Sequence, residues 1–138
     1  MSLFYLTTPS LLAYNKERRR GGCRILLDRM FIHTKLFDKK WAELGCDDDD
    51  LSELQKAICE NPQGHPVVKG TGGVRKIRVA LEGRGKSGGA RILYVDFVVH
   101  GVVGLLSAYP KNEKEDITEA EKKILKTMVE KFNSNRRA

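Results

Sequence analysis

Lys76 and Arg78 stand two residues apart in Val74-Arg75-Lys76-Ile77-Arg78-Val79-Ala80, where apolar and charged side chains alternate as they do along a β-strand. Residues two apart on a strand share a face, so these cations sit about 7 Å apart on one surface while Ile77 and Val79 turn to the core. Arg91 opens the next strand-like run and Lys111 follows the one after it. If these strands pair in order, Lys76, Arg78 and Arg91 meet in one concave patch. Gathered cations with few carboxylates among them suit a phosphate. A face that is merely solvated normally mixes both signs. Arginine keeps its proton at any ordinary pH, so it can hold negative charge but cannot act as a base. Protons would have to be handled by Lys76, with its pKa lowered by crowding and desolvation, or by Tyr109 near Lys111.

Glycine-rich loops flank the first of these strands. Lys69 and Arg75 bracket Gly70-Thr71-Gly72-Gly73, and Arg84 and Lys86 lie in Gly83-Arg84-Gly85-Lys86-Ser87-Gly88-Gly89. Glycines let backbone and cation approach phosphates closely, so Lys69, Arg75, Arg84 and Lys86 are candidate RNA contacts. Gly85-Lys86-Ser87 invites comparison with a nucleotide-binding P-loop. The glycine required five residues before Gly85 is Ala80, however, and a strand follows instead of a helix. His33, His65 and His100 belong to no metal-binding motif, and Cys23, Cys46 and Cys59 form no C-x-x-C pair, so neither metal nor cofactor is expected. Asp47–Asp50 lack the alternation and the glycine of a calcium loop and suit a helix N-terminus better.

The rest of the 138-residue chain supplies the scaffold, with a net charge of +7 that is unevenly spread. Residues 1–29 hold six basic and two acidic side chains and residues 67–111 hold eight and two, whereas residues 30–66 hold four and eight. Clustered positive charge points to a polyanion, because cations set against phosphates release condensed counterions. In residues 1–29 the apolar stretch Leu3–Tyr14 precedes the basic run, the reverse of a secretory signal. That segment is read as a weakly ordered basic extension to a single domain over residues 30–138. The cysteines are read as reduced thiols, and a cytoplasmic protein is expected.

A strand over Phe31–Lys35 leads to a helix on which Phe37, Trp41 and Leu44 share a face, ending at Gly45. A second helix follows, with Asp50 and Glu53 as a box-like cap and Leu51, Leu54 and Ile58 as its buried stripe. Strands over Val74–Leu81, Arg91–Val99 and Val102–Tyr109 read as an antiparallel meander, and Thr118–Glu121 caps a final helix running to about Asn133. The order predicts an α+β domain, a small antiparallel sheet with two N-terminal helices on one face and a C-terminal helix, the helices together covering one face.

Three motifs taken in order carry a resemblance: Gly70–Ala80, then Gly83–Lys86 with Gly88–Ile92, then Tyr109-Pro110-Lys111-Asn112-Glu113. Over about residues 30–133 the chain resembles the HigB branch of the RelE/ParE superfamily, the toxins of type II toxin–antitoxin systems. The resemblance implies a RelE-like fold, ribosome-dependent cleavage of messenger RNA without a metal, and a neutralising antitoxin, for this branch a helix-turn-helix (HigA-like) protein. Matched by position, Lys76 and Arg78 correspond to the paired cations of the family's first long strand, and Arg91 to the arginine opening the next. Lys111 falls in the basic segment after the last strand, and Tyr109 stands in for a tyrosine expected near Thr118. Asn112 stands where the family pattern has an arginine. Cleavage of this kind uses the ribose 2′-hydroxyl as nucleophile and needs a base, an acid and cations on the phosphate. Arg78 and Arg91 are expected to hold the phosphate. Two other readings share these elements: a ParE-like protein that inhibits DNA gyrase by binding, and a general RNA-binding module, for which the strands lack closely placed exposed aromatics.

Overall fold

The computed structural model describes residues 4–6, 29–80, 89–111 and 116–136. Its elements run β1 (Phe4–Leu6), β2 (Met30–Thr34), α1 (Lys35–Glu43), α2 (Asp48–Glu60), β3 (Arg75–Ala80), β4 (Gly89–Phe97), β5 (Val102–Pro110) and α3 (Glu119–Arg136). The expected ordering of residues 1–29 lies outside the described residues, apart from β1 and Arg29. Arg29 grips Asp96 through Nε at 2.6 Å and Nη2 at 3.2 Å, a forked pair that fastens the start of β2 to β4.

Local chemistry starts and stops the helices. Thr34 accepts the Phe37 amide at 2.9 Å and donates to the Leu106 carbonyl at 2.7 Å, so one hydroxyl both caps α1 and ties it to β5. The φ of 74° at Gly45 lets the chain leave α1 in the left-handed region, where a side chain would strain it. α2 begins one turn earlier than the expected Asp50–Glu53 cap. Asp47 is the N-cap, and Asp47 and Asp50 exchange backbone-to-carboxylate bonds of 2.9 Å. An acidic run offers several equivalent caps, and the one that closes the helix is the earliest whose third neighbour is also an acceptor.

The sheet order is β1-β2-β5-β4-β3. β3, β4 and β5 form the expected antiparallel meander, but β2 lies parallel to β5, so the sheet is mixed and not purely antiparallel. β2 and β5 are joined through two helices and two strands, a connection long enough for parallel pairing. A register shift at Leu93/Tyr94 leaves Leu106 unpaired in β5, a bulge that turns it into the core.

Both faces of the sheet are covered, which corrects the expectation of helices on one side. Phe37, Trp41, Leu51, Leu54 and Ile58 of α1 and α2 pack on Ile77, Ile92, Tyr94 and Leu105. Leu125, Val129 and Phe132 of α3 pack on Leu93, Val95, Leu106 and Tyr109 from the opposite side. Phe97 and Phe132 stack with centroids 3.9 Å apart. Among the described residues no helix is long and apolar enough to cross a membrane.

Candidate phosphate-binding site

The strand register sets the site. Arg78 lies directly opposite Arg91, and Arg91 lies directly opposite Tyr109, so one row crosses three strands. Lys76 stands two residues from Arg78 on the same face, opposite Leu93. The Lys76 amide donates outward to the Pro66 carbonyl at 3.0 Å, which makes Lys76–Leu93 and Arg78–Arg91 the non-hydrogen-bonded pairs of the ladder. Side chains in such pairs approach most closely. The Lys111 amide donates to the Gly89 carbonyl at 3.1 Å, so Lys111 follows β5 at the same end of the sheet.

These side chains open into one cavity of about 270 Å³ lined by Lys76, Arg78, Arg91, Lys111 and Asp116. Four of the five sequence-derived catalytic candidates therefore meet there. The fifth, Tyr109, belongs to the row but is 3% exposed, and its ring packs in the core between sheet and α3. Burial pushes its hydroxyl pKa up; Arg91 opposes that rise, and Asp116 and Glu121 add to it. A phenol in that position keeps its proton and belongs to the core, not to the cavity lining.

Asp116 is the residue that pattern reading missed. Its Oδ1 lies 3.2 Å from Lys76 Nζ. The signal was present but faint: Asp116 immediately precedes Ile117, an apolar residue just before the Thr118 cap, and such a residue must be buried where the helix docks on the sheet. Thr118 itself is engaged in that cap, accepting from the Glu121 amide at 3.2 Å while its own amide donates to Glu121 Oε1 at 3.1 Å.

The proposed RNA contacts separate. Arg75 has the parity of Ile77 and turns to the opposite face, where Nη1 donates to the carbonyls of Gln63 at 2.9 Å and His65 at 2.6 Å. It clamps the α2–β3 loop and does not join the cavity. Lys69 is exposed in the loop before β3. The glycines of that loop take φ of 81° at Gly70 and 78° at Gly72 where it runs beside Lys122 and Lys126 of α3. Arg84, Lys86 and Asn112 lie outside the described residues.

A mixed sheet with helices on both faces is matched by a known protein. A free-state double arginine-to-alanine variant of the E. coli toxin RelE shares the fold, with a TM-score of 0.50 at 24% identity, covering 69% of this chain and 96% of that one. The family model described as the RelE toxin of the RelE/RelB toxin–antitoxin system matches residues 28–138, from just before the Arg29 clamp onward. A match of that extent makes this chain a member of the RelE toxin family.

Proposed function

We propose that the protein is a ribosome-dependent endoribonuclease that cleaves messenger RNA, inhibits translation from the cytoplasm and is held in check by a cognate antitoxin. The observation that carries this reading is the opposed pair Arg78–Arg91 in a cavity completed by Lys76 and Lys111. Like charges directly across a ladder destabilise a sheet, so a pair of arginines there makes sense as a receptor for an anion. Guanidinium forks match phosphate oxygens two at a time, and the charge they hold is greatest when the attacked phosphate gains negative charge. A lysine ammonium of the cavity can protonate the leaving 5′-oxygen. Lys69, exposed in the loop before the strand that bears Lys76, and Arg84 and Lys86 are the further cations expected to contact RNA.

The motifs of residues 70–113 support a HigB-like assignment within the family, and with it a helix-turn-helix, HigA-like antitoxin. Acidic side chains of that partner would enter the cavity in place of the phosphate. The test is cleavage of a defined message on translating ribosomes by the purified chain. Wild type is expected to yield discrete cuts, and Arg91→Ala to lose at least about a hundredfold, the usual scale for removing one donor from a developing oxyanion. An undiminished rate in Arg91→Ala would remove that arginine from the site. Inhibition of gyrase supercoiling with uncut message would overturn the nuclease reading.

A further inference from the structure

Resting on that nuclease reading, we infer that Asp116 is the general base, the group that takes the proton from the ribose 2′-hydroxyl. Four of the five residues lining the cavity are lysine or arginine. Guanidinium and ammonium groups donate hydrogen bonds and offer no lone pair. The Asp116 carboxylate is the acceptor among these lining residues. Tyr109, in the same strand row, is buried and holds its proton.

Asp116 stands where a base must stand. Its Oδ1 is 3.2 Å from Lys76 Nζ, and its charge reaches Tyr109. The side chain is 87% exposed at the mouth of the cavity, yet its backbone is anchored. Ile117, the next residue, is 7% exposed in the core beneath α3, and Thr118 beyond it closes the capping box. Stability does not explain a carboxylate there, because an exposed ion pair contributes about 0–1 kcal/mol. Phosphate affinity does not explain it either, since a negative charge among the cations repels the ligand. A proton acceptor is the role that needs a carboxylate in that place.

In the step itself, Asp116 removes the 2′-hydroxyl proton as the 2′-oxygen forms its bond to the adjacent phosphorus. The bond from phosphorus to the 5′-oxygen breaks, and that oxygen takes a proton from an ammonium group of the cavity. The products are a 2′,3′-cyclic phosphate and a free 5′-hydroxyl, and no other reactant is consumed. Arg78 and Arg91 hold the non-bridging oxygens throughout.

Single-turnover cleavage on programmed ribosomes tests the assignment with Asp116→Ala, Asp116→Asn and Asp116→Glu. At saturating toxin, the Ala and Asn variants are expected to cleave about 10²- to 10⁴-fold more slowly, the usual contribution of a general base. Half-saturation should need no more toxin than wild type, because the loss of a negative charge favours RNA. Added formate should restore part of the rate to Asp116→Ala, and Asp116→Glu should stay within about tenfold of wild type. Thermal melting coincident with wild type shows that the variants are folded. If Asp116 were only a counter-ion to Lys76, the Ala and Asn variants would cleave at least as fast as wild type, which overturns the assignment while leaving the nuclease reading intact. A slow variant that neither formate nor glutamate rescues also overturns it. A wild-type chain that cuts no message brings down the reading and the base together.

Discussion

Arg78 and Arg91 face each other across a non-hydrogen-bonded site of the ladder, where two like charges cost the fold roughly 0.2–1 kcal/mol. Arg78→Ala is therefore expected to leave thermal stability unchanged or slightly raised while cleavage falls by at least about a hundredfold. Melting and cleavage measured on one preparation check it; a parallel loss of both would show the arginine to be structural. His33 is the contrary case, a side chain whose effect lies in stability alone. It is 6% exposed, its Nδ1 lies 2.7 Å from Asp38 Oδ1, and its ring packs edge-on against Phe37. The neighbouring carboxylate would favour an imidazolium, but burial outweighs it and lowers the pKa from 6.5 to about 4. Between those values the unfolded chain binds a proton that the folded chain refuses, so stability is greatest above about pH 6.5 and falls as the pH drops toward 4. Burial raises the Asp38 pKa, which opposes this slope. Denaturant unfolding at several pH values should show that slope in wild type and a shallower one in His33→Gln.

Elements decide which of these residues meet. Six of the eight elements were legible because their signals are local: the i, i+4 apolar stripe of α1, the carboxylates at the start of α2, the alternation in β3, the apolar runs of β4 and β5, and the Thr118 box. β2 too was legible as a strand, but not as a parallel partner of β5, because parallel pairing depends on where two helices carry the chain and leaves no trace in MFIHT. The face chosen by α3 was equally hidden, since its stripe of Leu125, Val129 and Phe132 would fit either side of the sheet. Parity within one strand placed Lys76 and Arg78 together, and the same parity should have set Arg75 apart from them. Asp116 could not be found that way because it joins the cavity from the segment that anchors α3. Two helix caps separate anchoring from general stability. Thr118→Ala and Asp47→Ala should each cost about 1 kcal/mol and a few degrees of melting temperature. Only the former loosens the attachment of Asp116, so it alone should slow cleavage, by roughly tenfold. Equal rates in the two variants would show that the α3 cap plays no part in placing the carboxylate.

Among the described residues, one cationic cluster and one acidic cluster lie toward opposite sides of the sheet. Lys76, Arg78, Arg91 and Lys111 open on the α3 side, while Asp47, Asp48, Asp49 and Asp50 gather at the start of α2 on the other. A basic protein with that asymmetry approaches a polyanion with one side leading, and the acidic helix end disfavours the reverse orientation. Such binding must weaken with salt, because each cation set against an RNA phosphate releases condensed counterions. For a single strand, the slope of log affinity against log salt falls by about 0.7 for each contact removed. Ribosome binding by a cleavage-deficient Asp116→Asn chain, titrated with potassium chloride, measures that slope directly. Adding Arg91→Ala or Lys111→Ala should each make the slope shallower by about that amount. Adding Arg75→Ala removes an equal charge from a guanidinium fixed to Gln63 and His65 on the far face, and the slope should hold. If all three variants shift the slope alike, net charge and not the cavity governs binding, and the gathering of Arg78 and Arg91 loses its significance for RNA.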